Sequence, residues 1–162
     1  MGPPAPFAEF RTPGKPDWID GNGHMGIRSY TQVFDEAIGP FYRHIGLTRE
    51  HLNARGTTIF ALQETAWYRR EVMLGDPLLV TAQLIDFDHD KMVTFQRMHQ
   101  TRDGYVAAMA EIIEIHIDRT TRRPADFAPE IAARLSEVHA AHRRLGVPAE
   151  SGRGVGIRRR SG

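Results

Sequence analysis

The sequence predicts an α+β fold in which an antiparallel sheet wraps around one central helix, with a second helix towards the C-terminus. Three observations lead to this fold class. The chain has 162 residues, the usual size of a single domain. A helical apolar pattern comes first, and four segments with strand character follow it in succession. The turns between those segments are shorter than the roughly dozen residues of a parallel crossover, so neighbouring strands are expected to be antiparallel.

The central helix is expected to begin near Ile27, after a dense turn sequence at residues 20–23. The proline-rich residues 1–16 precede it and are expected to contribute a short strand at residues 7–11. Beyond Ile27, apolar residues recur at helical spacing, at Tyr30, Phe34, Ala37, Ile38, Phe41 and Ile45. The Gly-Pro pair at residues 39–40 predicts a kink or a restart, because proline has no N–H and restricts the residue before it.

Four strand-like segments form the predicted sheet, at residues 57–69, 78–87, 92–101 and 105–118. Turn sequences separate them, at residues 74–77, 88–91 and 102–104. Alternation along the last segment collects apolar side chains on one face, which we expect to cover the helix. These side chains belong to Met109, Ile113, Ile115 and Ile117. The sheet is therefore predicted to be a meander packed on the helix.

The chain divides into three predicted regions: a helix-and-sheet domain at residues 1–128, a C-terminal helix at residues 129–146 and a flexible basic tail at residues 147–162. The C-terminal helix begins with a proline, which is favoured in a first turn. It carries a narrow apolar stripe formed by Ile131, Leu135, Val138 and Leu145. The tail is rich in glycine, proline, serine and arginine and has too few apolar residues to pack.

The composition excludes several classes of function. The chain has no cysteine, which removes disulfides, thiolate nucleophiles and thiolate zinc sites. Its net charge is +1 with both signs spread along it, so no nucleic-acid partner is expected. No apolar run approaches the roughly 20 residues of a membrane span and the first residues lack secretory features, so we expect a cytoplasmic protein without a membrane partner. No metal site is expected, because His-Glu-x-x-His is missing and His89 beside Asp90 lies in a turn sequence.

Residues 18–25, Trp-Ile-Asp-Gly-Asn-Gly-His-Met, contain the pattern Asp-x-x-Gly-His-Met. With Tyr30, Phe34 and residues 35–37, this segment resembles the start of the central helix in hotdog-fold acyl-CoA thioesterases. Further residues occur in the family's order: Glu64, Tyr68, Gly75, Asp76, Glu111, His116, Asp118 and residues 122–124. The resemblance covers roughly residues 16–135 and is closest to the thioesterases of carnitine breakdown, which act on betainyl-CoA. It implies a hotdog fold, hydrolysis of a short or medium acyl-CoA, and no cofactor apart from the coenzyme A of the substrate.

One position departs from the family pattern. The residue after His-Met is commonly asparagine in the family, whereas here it is Gly26. The change removes a hydrogen-bonding side chain at the start of the helix, which predicts a changed substrate or a weaker activity. A glycine also lets the backbone approach a ligand closely.

Asp20 is the leading candidate for the catalytic group. Thioester hydrolysis needs a polarised carbonyl and an activated water or a nucleophile, and a carboxylate beside a helix N-terminus serves both needs. The free N–H groups from Gly26 through Ile27 to Arg28 could bind the thioester oxygen, and the resemblance assigns Asp20 the role of general base or direct nucleophile. The alternative is that Asp20 only caps a turn. His24 could orient the carbonyl or transfer a proton, or it could simply hold the loop closed.

Glu64 is expected to share a strand face with the apolar residues Phe60, Leu62 and Tyr68. A carboxylate in such surroundings must be paired, neutralised or functional. We therefore consider Glu64 as a second acid of the site, with a salt bridge at a subunit contact as the alternative.

Substrate binding is predicted for aromatic and basic residues near the end of the same strand. Trp67 and Tyr68, with Trp18, could form a wall for the acyl group and would suit a quaternary ammonium through cation–π attraction, although core packing is the alternative. Four arginines could bind the phosphates of coenzyme A or could simply be solvated: Arg69, Arg70, Arg122 and Arg123.

A single sheet of this kind leaves one edge and an outer face open, which predicts a homodimer or homotetramer with a continuous sheet and active sites between subunits. Two other functions stay open. One is an acyl-CoA hydratase of the same fold, whose motif resembles Asp followed by His five positions later, whereas the interval here is four. The other is a non-catalytic acyl-CoA-binding regulator, suggested by Gly26 and by the arginines at residues 158–160.

Overall fold

A five-stranded antiparallel sheet wraps around one long helix in the computed structural model, which describes residues 2–155. The strands are β1 (Phe7–Pro13), β2 (Thr57–Tyr68), β3 (Pro77–Phe87), β4 (Lys91–Gln100) and β5 (Tyr105–Asp118). The helices are α1 (Ile27–Ile45), α2 (Arg49–Arg55) and α3 (Pro129–His142). The strand order is β1-β3-β4-β5-β2, so β2 forms one edge. The predicted hotdog arrangement is confirmed, and the four long strands match their predicted bounds to within one residue.

Helix α1 is continuous through residues 39–40, so the predicted restart is wrong. Pro40 removes one backbone donor inside the helix and costs about 3 kcal/mol. The helix persists because Ala37 and Phe41, on either side of the proline, are at most 3% exposed, so packing against the sheet outweighs that cost. No helix within the described part of the chain combines the length and hydropathy that a bilayer crossing needs.

The short helix α2 is not predicted by the apolar pattern, because it buries none of its residues. Its start carries a local signal instead. The hydroxyl of Thr48 accepts a hydrogen bond from the His51 amide at 3.1 Å, which is the usual N-terminal cap. Helix α2 leads directly into β2.

The face of β5 that covers α1 is the opposite of the predicted one. Ala108, Ala110 and Ile112 belong to the core that packs on α1. The predicted residues alternate with these and lie on the outer face: Met109, Ile113, Ile115 and Ile117. The prediction fails because both faces of β5 carry apolar side chains, and alternation alone does not distinguish them.

Helix α3 joins the sheet in a second core cluster. Ile131, Leu135 and Val138 are at most 2% exposed, as their stripe predicts, whereas Leu145 follows the helix and is 44% exposed. The buried ring of His142 accepts a hydrogen bond from the Leu84 amide at 2.8 Å, which links α3 to β3. The helix therefore shares its core with the sheet.

The segment 147–153, predicted as the start of the flexible tail, follows the outer face of the sheet. The Gly152 amide donates to the Glu111 carboxylate at 2.8 Å, and the Arg69 guanidinium donates to Glu150 at 2.9 Å. These polar contacts join part of the segment to the sheet, and its flexibility stays a prediction. The arginines at 158–160 lie outside the described residues.

Candidate active site

The turn before α1 is closed by backbone hydrogen bonds. The Asp20 amide donates to the His24 carbonyl at 2.9 Å, and the Gly23 amide donates back to the Asp20 carbonyl at 3.0 Å. Gly23 has a φ of 85°, which glycine adopts without strain. The Met25 amide donates to the Val72 carbonyl at 2.8 Å, which ties the turn to the segment after β2. The turn therefore presents Asp20 at the start of α1.

Both oxygens of the Asp20 carboxylate accept hydrogen bonds within the turn, and one of them also lies beside the helix start. Its Oδ1 accepts a hydrogen bond from the Asn22 amide at 2.8 Å, so Asp20 does cap the turn. Its Oδ2 lies 3.6 Å from the position that a Cβ would take at Gly26. Oδ2 also accepts a long hydrogen bond from the Asn22 side-chain amide at 3.5 Å. Asn22 therefore fixes the orientation of the carboxylate through both oxygens, and the longer contact is the one that a water or substrate would replace.

Two amides at the start of α1 are free to bind an oxygen. Gly26 is the N-cap, and its own amide donates to the Trp18 carbonyl at 2.9 Å, so it is not one of them. The amides of Ile27 and Arg28 make no hydrogen bond within residues 2–155. Such amides lie at the positive end of the helix dipole and favour a negatively charged oxygen.

A cavity of about 420 Å³ opens beside this turn. Five of the predicted site residues line it: Asp20, His24, Ile27, Tyr68 and Arg69. Arg70, one of the four predicted phosphate-binding arginines, lines it as well. Tyr30 and Glu71 also line it and were not predicted, because Tyr30 carries the helical signal of a core residue and Glu71 follows β2 in a segment without periodicity.

His24 contacts Asp20 through the backbone and Glu71 through its side chain. Its Nε2 lies 3.9 Å from Glu71 Oε1, and its Nδ1 lies 3.3 Å from the Met25 carbonyl. A ring held between two acceptors is oriented, and it also braces the turn. Both predicted roles of His24 are therefore compatible with its position at the cavity wall.

The aromatic wall of the cavity consists of Tyr30 and Tyr68. Their rings meet edge to face, with centroids 5.1 Å apart. Burial raises the pKa of Tyr30, so its hydroxyl stays protonated near neutral pH. Trp67 points to the other face of the sheet and stacks on Phe95 at 5.8 Å, because neighbouring strand residues point in opposite directions. The structure therefore does not bring Trp67 into the cavity.

Glu64 lies near the second turn of α1, beyond the cavity. Its Oε1 accepts a hydrogen bond from the Thr31 hydroxyl at 3.4 Å. The strand has a register shift at Leu62, so Glu64 shares its face with Tyr68 but not with Phe60. The shared face predicted for all four residues is therefore wrong, and Glu64 does not join Asp20 and His24.

Two of the four predicted phosphate-binding arginines lie at the mouth of the cavity. The guanidinium of Arg69 pairs with Glu150 at 2.9 Å, and that of Arg70 covers the Tyr105 ring at 4.0 Å. Residues 122–123 follow β5, which ends beside the start of β2, and the cavity lies near the other end of β2. Arg122 and Arg123 therefore lie about the length of β2 away from the cavity.

A group with metal-ligand atoms lies at the turn between β3 and β4. Asp88, His89 and Asp90 offer atoms within 4.8 Å of one another. The Asp88 carboxylate accepts the amides of Asp90 and Lys91 at 2.9 and 2.7 Å, and the Asp90 carboxylate pairs with Lys91. The carboxylates of Asp88 and Asp90 therefore make the local hydrogen bonds and ion pair that are usual in a tight turn.

Replacing Gly26 with asparagine is expected to raise the free energy of unfolding by about 0.5 kcal/mol, because asparagine is a preferred N-cap. The backbone φ of −72° accepts a side chain, and the new Cβ would lie an ordinary 3.5 Å from the Asp20 Cβ. Urea unfolding measures the change. Gly21→Asn, in open space within the same turn, is the matched control and should change nothing. A destabilisation above about 1 kcal/mol in Gly26→Asn would contradict the assigned cap geometry.

Sequence comparisons identify relatives over most of the chain. The model of the thioesterase-like superfamily matches residues 15–135. A betainyl-CoA thioesterase of Pseudomonas aeruginosa is 31% identical over 148 residues, which cover 91% of this chain and 93% of that protein. An L-carnitine dehydrogenase/betainyl-CoA thioesterase of Rhizobium meliloti is 30% identical over 142 residues, which cover 88% of this chain and 28% of that longer protein.

Solved structures share the fold. A hypothetical protein from Staphylococcus aureus, in complex with CoA, has a TM-score of 0.87 at 24% identity and covers 98% of this chain and 100% of its own. A 1,4-dihydroxy-2-naphthoyl-CoA thioesterase from Synechocystis has a TM-score of 0.73 at 15% identity and covers 82% of this chain and 96% of its own.

Proposed function

Because the chain belongs to the thioesterase-like superfamily, we propose that it hydrolyses the thioester of a short or medium acyl-CoA. One observation carries the proposal: the Asp20 carboxylate lies on the cavity wall beside the free amides of Ile27 and Arg28. A carboxylate and a pair of oxyanion donors at one helix N-terminus supply the two groups that the reaction needs.

The proposed reaction begins with the thioester oxygen accepting hydrogen bonds from the Ile27 and Arg28 amides, which stabilise its developing charge. Asp20 either takes a proton from a water that attacks the carbonyl carbon, or attacks that carbon itself and is released by water. In both routes the C–S bond breaks and its electron pair leaves on sulfur. In the general-base route Asp20 passes the proton that it took from water to the sulfur of coenzyme A. In the nucleophilic route His24 supplies that proton and recovers one from the water that releases Asp20.

Betainyl-CoA is the first substrate to test, because the relatives that cover most of this chain are named for it. Two features of the site support the choice. The Tyr30 and Tyr68 rings form a wall that suits a quaternary ammonium through cation–π attraction. Arg69 and Arg70 at the mouth supply cations for the phosphates of coenzyme A.

A thiol-release screen over a panel of acyl-CoA esters, with betainyl-CoA and crotonyl-CoA included, tests the proposal. Release of free thiol from at least one ester is the expected result. Loss of the crotonyl absorbance without thiol release would indicate a hydratase instead. Tight binding of an ester for hours without any thiol release would indicate a non-catalytic regulator.

We also propose that two copies pair through β2 to give a continuous sheet in a homodimer, which could pair further into a tetramer. The outer edge of β2 has no partner strand within residues 2–155. Phe60 and Leu62 on that strand are 58% and 50% exposed, although both are large and apolar. An unprotected apolar edge is the feature that subunit pairing usually covers.

The Phe60→Arg variant is expected to be monomeric, because the two copies of the new arginine would repel each other across the proposed two-fold contact. It is also expected to lose at least about tenfold in kcat/KM, because the active sites are predicted to lie between subunits. Sedimentation velocity and the thiol-release assay measure both effects. Leu145→Arg is the matched control, since Leu145 is 44% exposed and follows α3, which packs on β3 towards the opposite side of the sheet from β2. If Phe60→Arg keeps the wild-type sedimentation coefficient, pairing through β2 is wrong.

A further inference from the structure

A second large cavity opens at the opposite end of β2 from the candidate active site. Its volume is about 720 Å³, and it lies between the C-terminal half of α1, helix α2 and the first residues of β2. Arg43, Arg49 and Arg119 line it, and we call it the arginine pocket. We propose that the arginine pocket of the partner subunit binds the phosphates of the coenzyme A whose thioester lies beside Asp20, so that two chains complete each active site. The inference rests on the proposed hydrolysis and on the proposed pairing through β2.

The arginine pocket has an excess of positive charge. Glu50 is the one acidic residue among those that line it in the described chain, against three arginines. None of the three guanidinium groups forms a salt bridge with a carboxylate within residues 2–155. The guanidinium of Arg119 is oriented, because it donates to the Asn53 side-chain oxygen at 2.9 Å. Arginines without a carboxylate partner suit a phosphate, which offers several acceptor oxygens to their N–H groups.

The arginine pocket of the same chain is too far from Asp20 to receive the phosphates of that substrate. Tyr68 lines the candidate active site at the end of β2, and Thr58 lines the arginine pocket near the start of the strand. The ten residues of strand between them span about 30 Å. The pantetheine arm has about 13 bonds from its sulfur to the first phosphorus, which is about 16 Å when fully extended. The phosphates could therefore reach an arginine pocket only on another chain.

Pairing through β2 would bring the two cavities together. Two identical edge strands that meet across a two-fold axis run antiparallel. The exposed side chains of Phe60 and Leu62 favour an axis near residue 61. Tyr68 lies seven residues after that point, and residue 54 in α2 lies seven residues before it. Tyr68 of one chain would therefore lie beside the junction of α2 and β2 in the partner.

The direction of α1 is consistent with this arrangement. A two-fold axis perpendicular to the continuous sheet keeps both copies of α1 on one side of the sheet and makes them antiparallel. The candidate active site lies at the start of α1, where Ile27 lines it, whereas Gly39 and Arg43 line the arginine pocket from the C-terminal half of the helix. Antiparallel neighbours place the start of one helix beside the end of the other. The two cavities would therefore lie on the same side of the sheet and next to each other.

The turn after β5 supplies further positive charge at the arginine pocket. Arg119 lines the pocket, and Arg122 and Arg123 follow shortly after it. Within one chain these two residues lie about the length of β2 from the cavity that contains Asp20. Across the proposed two-fold contact they lie at the end of the sheet that adjoins the partner's Tyr68. The prediction that Arg122 and Arg123 bind phosphate is therefore compatible with the paired chains.

The Arg49→Gln/Arg119→Gln double variant is expected to raise KM about 30-fold for the acyl-CoA that wild type hydrolyses fastest. Its kcat should change less than about twofold, because the phosphates lie far from the reacting carbon. The same acyl group on pantetheine, which carries no phosphate, should be hydrolysed equally by variant and wild type. Arg144→Gln is the matched control, because Arg144 is an exposed arginine that follows α3, and it should keep the wild-type KM. An unchanged KM for the acyl-CoA, or an equal rise for both thioesters, would overturn the role of the arginines.

A hybrid dimer tests whether the arginines act across the subunit contact. One chain carries Asp20→Asn, the other carries Arg49→Gln/Arg119→Gln, and two different affinity tags isolate the hybrid. One of its two sites would combine an intact Asp20 with the intact arginine pocket of the partner, so we expect the wild-type KM and about half of the wild-type kcat. The raised KM of the double variant would mean that the arginines act within their own chain. That result, or failure to recover a hybrid, would overturn the inference.

Calorimetry with CoA separates the inference from the proposed hydrolysis. The double variant should bind CoA about 30-fold more weakly than wild type, whereas both should bind pantetheine equally. Equal affinities of the two proteins for CoA would contradict a phosphate site at Arg49 and Arg119. If wild type releases no thiol from any ester but its affinity for CoA depends on these arginines, the proposed hydrolysis alone is overturned.

Discussion

The Asp20→Asn variant is expected to lose about three orders of magnitude in kcat for acyl-CoA hydrolysis, with KM changed much less. An amide neither takes a proton from water nor attacks a thioester carbon, so both proposed routes stop at the same step. The free amides of Ile27 and Arg28 would remain. Oxyanion binding alone should therefore support the small residual rate.

The same variant should fold normally, which separates catalysis from turn capping. The side-chain oxygen of the new asparagine can still accept the Asn22 amide, as Asp20 Oδ1 does at 2.8 Å. Circular dichroism and urea unfolding check this. Asp17→Asn, an exposed carboxylate three residues earlier, is the matched control and should retain wild-type turnover. If Asp20→Asn retained more than about a tenth of wild-type kcat, another group would have to activate the water.

The long strands and the catalytic turn were predictable because their signals are local. Asp-Gly-Asn-Gly favours a tight turn, and the structure closes that turn through the Asp20 and His24 backbones. Short glycine- and aspartate-rich connections define the ends of β3, β4 and β5, so their bounds needed no tertiary information. The position of Asp20 at the start of α1 follows from the same local chemistry.

Side-chain directions in β2 and β5 were harder to predict because they depend on register. The shift at Leu62 exchanges the faces of Phe60 and Glu64 relative to strict alternation, and no residue type marks it. In β5, the apolar character of both faces hides which one meets α1. The face of β5 that meets α1 is determined by the register that pairs Ala110 with Gln96 and by the packing of α1 in the same core as Ala110.

Contacts between distant segments were not predictable from patterns at all. Glu71 approaches His24 because the Met25 amide binds the Val72 carbonyl, a contact between residues far apart in sequence. The segment 147–153 is held to the sheet by a backbone amide and a carboxylate, so it lacks the apolar signature of a packed segment. Polar contacts of this kind leave little trace in composition.

The Glu114→Gln variant is expected to be more stable than wild type at pH 8 by about 3 kcal/mol, and to differ from it much less at pH 5. Burial raises the pKa of Glu114 from 4.5 to about 7. Between these values the folded chain holds a proton that the unfolded chain has released, so stability contributed by this group is full below pH 4.5 and declines as the pH rises to 7. Glutamine does not titrate, and its carbonyl can still accept the Tyr42 hydroxyl that contacts Glu114.

Urea unfolding of both proteins at pH 5 and pH 8 isolates this effect, because other groups shift the two profiles equally. Burial lowers the pKa of His44, His99 and His142, which makes stability rise with pH and opposes Glu114 in wild type. The difference between variant and wild type cancels those histidines and leaves the carboxyl. Glu36→Gln, at an exposed position on α1, should reproduce the wild-type profile. Parallel profiles for Glu114→Gln and wild type would mean that the pKa of Glu114 is not raised in the folded chain.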